Sequence, residues 1–317
     1  MLALRVQNKT LSVGEIAKPH NADEALVRVL LSGICNTDLE IARGYAGFNG
    51  TIGHEFVGIV EDSTEADVIG RRVVGEINAG CGKCELCRNE DPRHCVSRTV
   101  LGIVGRDGAH AEFLQLPAVN LIPLPDNITD EQAVFAEPLA AACGILERVE
   151  INENDRVAVI GDGKLGLLCA QVVALTGAAT VLVGKHTAKL RIAERRGIET
   201  STPTEATKRK REFDLVVEAS GAAEGFQLAL NLLRPKGKLV LKSTFHGATN
   251  MDASRIVVDE ISIVGSRCGR FEPAIDLLQK QAVDVASLIS EEYSLVDGLH
   301  AMDRARAQGV LKVLLRP

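Results

Sequence analysis

Gly161-Asp162-Gly163-Lys164-Leu165-Gly166 lies between an apolar run, 156–161, and a helix-like stretch, 165–176. This G-x-G-x-x-G spacing, after a strand and opening a helix, constrains the fold more than any other feature. Glycines at that spacing alone are a weak signal; their context supplies the mechanism. The first glycine makes the turn, the second lets backbone approach a pyrophosphate, and the third lets helix pack on strand. The helix N-terminus then faces the phosphates. A tight βα turn with no ligand is the competing reading. The alternation continues with a strand over 180–184, a helix over 187–196, a strand over 214–220 and a helix over 222–233. Strands over 238–243 and 261–265 complete the pattern. Such alternation predicts βαβ units and a doubly wound parallel sheet covered on both faces.

Dinucleotide sites of this kind tend to carry Asp or Glu about 20 residues after the first glycine, where it meets the ribose hydroxyls. Here that place is Gly184, followed by Lys185 and His186. A missing carboxylate removes repulsion against a 2′-phosphate, and Lys185 is placed to pair with it. NADP is therefore expected in preference to NAD. The plainer reading leaves Lys185 on the surface, with Lys189 or Arg191 as alternative cations. The remaining cofactor candidates are Gly161, Gly163, Lys164, Leu165, Gly166, Ser220 and Ser243.

The first 130 or so residues read differently. Short β-branched runs at 25–32, 56–62 and 72–77 are separated by glycine, the pattern of an irregular β region. A helix near 273–280 and a strand over 311–315 close the chain. Within the β region, Cys81, Cys84, Cys87 and Cys95 are spaced C-x2-C-x2-C-x7-C. Zinc takes four thiolates at ~2.3 Å, and close C-x2-C steps let one loop wrap the ion. Iron–sulfur is the main competitor, but no Cys-Pro pair follows, and zinc is preferred. His94 competes as a ligand only if the four cysteines do not already fill the shell. Cys35, His54, Glu55 and Glu137 are dispersed and suffice for a second zinc site with an open position. Singly they read as a small buried thiol, a core histidine and a helix N-terminal carboxylate.

A length of 317 residues suggests two domains. A net charge of −6 gives no reason to expect nucleic acid or an anionic membrane as partner, and the run Lys208-Arg209-Lys210-Arg211 reads as a solvated helix end or loop. No stretch reaches the ~18 apolar residues that span a bilayer. The N-terminus turns polar too early for a signal peptide, so a cytoplasmic setting is expected. There thiols stay reduced, and the clustered cysteines point to a metal.

Together GICNTDLE, GHEFVGIVED, CGKCELCRNEDPRHC, AEPLAAA, VIGDGKLG, DLVVEASG and LKVLLRP resemble the medium-chain dehydrogenase/reductase superfamily, the zinc alcohol and polyol dehydrogenases. The resemblance spans nearly the whole chain. It implies a GroES-like catalytic domain over 1–138 and 269–317 around a Rossmann domain over 139–268. It implies catalytic zinc on Cys35, His54 and Glu137, with Glu55 able to approach the metal, and a structural zinc on the four clustered cysteines. A glutamate at the third ligand position resembles the sorbitol, glucose and threonine dehydrogenase branch. Thr37 matches the hydroxyl that starts the proton relay, and Lys312 matches a basic residue near the cofactor pyrophosphate. The chain departs from the family in its shorter length, its tight Cys35–His54 segment and Glu40 where a relay histidine often stands. The implied activity is hydride transfer between NAD(P) and a polyol, sugar or small secondary alcohol, in a homodimer or homotetramer. The alternatives are a zinc-independent quinone or enone reductase of the same fold and an inactive cofactor-sensing protein; the intact ligand set argues against both.

Overall fold

The computed structural model describes residues 1–89, 91–244 and 251–317. The chain forms two units, Met1–Glu137 with Ala274–Pro317, and Pro138–Pro273. Residues 269–273 lie in the second unit. A Cβ on Gly269 would stand 2.1 Å from the Ala140 carbonyl oxygen, so glycine is what allows that close approach.

The first unit is β-rich. Its main sheet runs, from one edge, Leu121–Pro123, Arg72–Gly75, Glu55–Asp62, Ala25–Gly33, Lys312–Arg316 and Ile289–Ser294, with Phe113–Leu116 also pairing on Ala25–Gly33. The last two strands are parallel to each other, and the other pairs are antiparallel. Val27, Phe56, Val73 and Leu114 pack in one core, and Leu4, Ile34, Ile52 and Val313 in another. A hairpin of Leu2–Gln7 and Thr10–Glu15, absent from the sequence expectations, turns at Asn8 and Lys9, both at positive φ. A helix over Asn36–Ala42, also unexpected, follows the strand Ala25–Gly33. The pair Asn78–Ala79 and Thr99–Val100 brackets the cysteine-rich loop.

The second unit is the parallel sheet expected from the alternation. Its order is Glu199–Ser201, Ala179–Val183, Arg156–Ile160, Phe213–Glu218, Leu233–Leu241, Ser262–Gly265. The strand Leu233–Leu241 begins earlier than expected, but its regular pairing starts at Lys238, because the register shifts between Phe213 and Leu215 and Lys236 sits at positive φ. Helix Lys164–Ala174 buries Leu167, Leu168, Cys169 and Ala170 completely. Covered on both faces, the strands carry near-continuous apolar runs such as Val157 to Ile160. The fold is thus a GroES-like β-rich unit plus a Rossmann doubly wound unit.

Candidate functional site

In the β-rich unit Gly33 pairs with Glu55 in antiparallel register. Residues just past one strand therefore meet those that open the other. Cys35 N-caps the helix Asn36–Ala42, and His54 and Glu55 lead into Glu55–Asp62. One ligand atom from each of Cys35, His54 and Glu55 lies within 4.8 Å of the other two. Glu137, in the first turn of helix Ala136–Cys143, stands outside that group. It still faces the same charges. Burial pushes its carboxyl up to about 7, Glu55 and Glu76 add to the rise, and His54 and Lys312 oppose it. Thr37 Oγ1 is 3.7 Å from Cys35 Sγ. Glu40 is turned to Arg43 at 2.7 Å.

Two residues not singled out in the sequence organise this group. Asp38 is fully buried; its Oδ2 accepts the Cys35 main-chain N–H at 2.8 Å and its Oδ1 that of Gly53 at 3.1 Å. His54 Nδ1 lies 3.4 Å from Asp38 Oδ1, and His110 Nε2 lies 3.5 Å from Oδ2. Burial opposes the charge on Asp38, but the two histidines hold its carboxyl well below the usual carboxylate range. Burial likewise opposes a charged His54, yet Asp38 and Cys35 raise it well above its ordinary value. Asp38 thus sets a fixed negative charge beside the Nδ1 side of the ring. Gly53 sits at φ +98, and a Cβ there would stand 2.6 Å from the His110 ring. Lys312 donates to Glu55 Oε2 inside the protein, both side chains 1% exposed, and lies 5.5 Å from the Phe135 ring centroid. That leaves Glu55 Oε1, like His54 Nδ1, buried with no hydrogen-bond partner among the described residues. A half-buried thiol, a buried imidazole and an uncommitted carboxylate oxygen within 4.8 Å of one another form a donor set that fits zinc with a position left open. Asp38 beside Nδ1 orients the ring so that Nε2 is free to ligate.

The second group is Cys81, Cys84, Cys87 and Cys95, mutually within 4.8 Å. Cys84 Sγ is 3.5 Å from Cys87 Sγ and 3.7 Å from Cys95 Sγ. Four thiolates at ~2.3 Å from one tetrahedral ion imply sulfur–sulfur edges of about 3.8 Å. These spacings fit a single ion and leave no room for a polynuclear cluster. A Cβ on Gly80 would stand 2.8 Å from Cys87 Sγ, so only glycine lets that sulfur turn inward. His94, half-exposed, is not part of the group.

In the Rossmann unit Gly161 has φ +117, and a Cβ on Gly166 would stand 1.9 Å from the Gly161 carbonyl oxygen. Among the described residues nothing lies within 4 Å of a Cβ on Gly163, which N-caps the helix Lys164–Ala174. The bare turn and the helix N-terminus form a cradle that fits a pyrophosphate. Lys164 and Leu165 open that helix, half-buried. Ser220 and Ser243 both donate to the buried Glu218, and with Gly161 they follow the C-terminal ends of three adjacent strands. Lys185 is exposed. His186 donates its main-chain N–H to Asp162 Oδ2 at 2.7 Å. Asp162 lies against Gly184, a carboxylate the sequence reading overlooked.

Residues 21–126 match the alcohol dehydrogenase GroES-like domain, and residues 165–280 match the zinc-binding dehydrogenase family. A sorbitol dehydrogenase of Halalkalibacterium halodurans is 30% identical over 92% of this chain and 91% of its own. A Sinorhizobium meliloti 1021 protein solved with NADP superposes with TM-score 0.91 at 28% identity, covering 100% of this chain and 99% of that one. An Escherichia coli CFT073 protein described as a short chain alcohol dehydrogenase, solved with NADH, superposes with TM-score 0.90 at 28% identity and the same coverage.

Proposed function

The chain belongs to the zinc-binding, GroES-like alcohol dehydrogenase family and is a nicotinamide-dependent oxidoreductase of alcohols or polyols; from that premise we propose that Cys35, His54 and Glu137 hold a catalytic zinc. Glu55 is the carboxylate that approaches the metal in exchange, and Cys81, Cys84, Cys87 and Cys95 hold a structural zinc. The observation that carries this reading is the convergence of Cys35, His54 and the uncommitted Glu55 Oε1 within 4.8 Å of one another, with the buried Glu137 carboxyl facing the same His54 charge.

Zinc held by Cys35, His54 and Glu137 would supply Lewis-acid polarisation of the substrate oxygen, and a nicotinamide held by the Rossmann unit would supply hydride chemistry. The chain's own residues do the rest. Thr37, 3.7 Å from Cys35 Sγ, accepts the hydroxyl proton of the alcohol and passes it outward. Asp38 holds the His54 ring in one orientation, and Lys312 holds Glu55 by one oxygen. The turn at Gly161, Gly163 and Gly166 seats the pyrophosphate against the helix N-terminus. The β-rich unit is assigned the zinc chemistry and the Rossmann unit the cofactor.

A polyol, sugar or small secondary alcohol is the proposed substrate. The sorbitol dehydrogenase at 30% identity supports it, and with aromatics at 3% and no Trp the chain offers little stacking surface for an aromatic alcohol. An assembly of two or four copies in the cytoplasm belongs to the same reading; among the described residues no helix is long and apolar enough to cross a membrane. The preference for NADP expected from Gly184 depended on no carboxylate standing there. Asp162 brings one to that place, and the reading moves to NAD. The test is a panel of polyols and secondary alcohols, read by nicotinamide absorbance alongside elemental analysis. Two zinc ions per chain and turnover of a polyol are expected. One zinc and no turnover of any alcohol would refute it.

A further inference from the structure

We propose that Asp162, held in place by His186, reads the adenosine ribose of the cofactor and makes the protein favour NADH over NADPH. This rests on the reading of the chain as a nicotinamide dehydrogenase.

In dinucleotide-binding folds a carboxylate at the end of the second strand accepts the ribose hydroxyls and repels a 2′-phosphate. That strand is Ala179–Val183, and the next residue is Gly184. A Cβ on Gly184 would stand 2.5 Å from Asp162 Cβ and 2.7 Å from Asp162 Oδ2. The space a side chain at 184 would use is already filled by a carboxylate that arrives from the glycine-rich turn. The two arrangements exclude each other, and glycine at 184 is what lets Asp162 lie there. An added Gly184→Asp side chain would collide with Asp162 rather than restore a missing group.

The carboxylate is positioned and only 8% exposed. Its Oδ2 accepts the His186 main-chain N–H at 2.7 Å, and the His186 ring Nδ1 lies 3.0 Å from Oδ2 and 3.1 Å from Oδ1. A carboxylate offers about four acceptor positions, so His186 leaves capacity for a ribose hydroxyl. A 2′-phosphate would bring further negative charge against this shielded anion, where water screens poorly. Lys185 is exposed, and a solvated lysine offsets little of that repulsion.

The test is equilibrium binding of NADH and NADPH to the zinc-loaded protein, followed by nicotinamide fluorescence, for wild type and Asp162→Asn. Asparagine keeps the shape and an oxygen for the His186 N–H but removes the charge. The wild type should bind NADH about tenfold or more tightly than NADPH, a difference of ~1.4 kcal/mol. Asp162→Asn should tighten NADPH and bring the ratio toward one, with the thermal midpoint unchanged. Asp162→Ser serves as the second variant if the first folds poorly. A wild type that favours NADPH, or a ratio unmoved in folded variants, overturns the assignment. Binding of neither nucleotide by the wild type overturns the dehydrogenase reading on which it stands.

Discussion

Lys312 and Glu55, both of the β-rich unit, form a buried ion pair, each side chain 1% exposed. Glu55 belongs to the strand Glu55–Asp62 and Lys312 to Lys312–Arg316, two strands that flank Ala25–Gly33 in the sheet. A buried charge stripped of its partner is costly, about 3–5 kcal/mol. Lys312→Met should therefore lower the stability of the zinc-loaded protein by about that much, measured by urea unfolding. The double variant Glu55→Gln with Lys312→Met should recover most of the loss. A single variant as stable as wild type would show that the pair is not sealed from water.

Asp38 makes a separate prediction. It touches His54, His110 and the main chain at Cys35 and Gly53, so it orients the candidate zinc ligands without being one. Losing a carboxylate that orients a ligating histidine typically weakens metal affinity ~10–100-fold. Asp38→Asn should show that loss in chelator competition, confined to one of the two zinc ions. If the zinc lost belongs to the four-cysteine loop instead, the orienting role is wrong.

What could be read in advance divides along physical lines. The four cysteines fall within fifteen positions (95 − 81 + 1 = 15), and a short loop brings them together without help from the fold. The glycine turn is equally local, since each glycine is required by its own backbone geometry. Cys35 and His54 meet only because Gly33 registers with Glu55, which no spacing reveals; their residue types made them candidates, and the family resemblance grouped them. His110 reaches Asp38 through a close approach at Gly53 and left no local trace. The hairpin at Asn8-Lys9 escaped notice because its positive-φ positions carry no glycine. Asp162 was missed because a carboxylate is looked for at the end of the second strand, whereas this one reaches Gly184 from the first turn.

Acid should weaken a contact between the strand Ile289–Ser294 and the helix Gly298–Ala305. Glu291 accepts from Arg304 Nε at 3.0 Å and from the Tyr293 hydroxyl at 2.6 Å. Arg304 first, then Tyr293, pull its carboxyl down to about 2. A folded pKa below the unfolded value means the stabilisation is complete above the ordinary value of 4.5 and fades as pH falls toward about 2. The stability gap between wild type and Glu291→Gln should thus hold steady from neutral pH to about pH 5 and narrow below that. Side chains 40% and 26% exposed are screened, so added salt should shrink the gap as well. A gap that widens on acidification would reverse the sign and discard the argument.

The thiols should separate by reactivity. Main-chain N–H groups of Lys83 and Cys84, with Cys95 beside them, pull the Cys81 thiol down to about 6. Burial, reinforced by the Cys84 sulfur, pushes Cys87 up to about 11. Burial alone is the main cause that lifts Cys143 to about 11 and Cys169 to about 12. The thiolate is the reacting form. In protein stripped of metal, iodoacetamide near neutral pH should modify Cys81 first and leave Cys143 and Cys169 untouched, as read by peptide mass spectrometry. Labelling of Cys81 should fall as pH drops through about 6, because protonation removes its thiolate. Zinc bound by all four sulfurs should protect Cys81, Cys84, Cys87 and Cys95 together, since each thiolate is then committed to the ion. Protection of only some of the four, or Cys169 labelling as fast as Cys81, would break the assignment of these cysteines to one closed metal site.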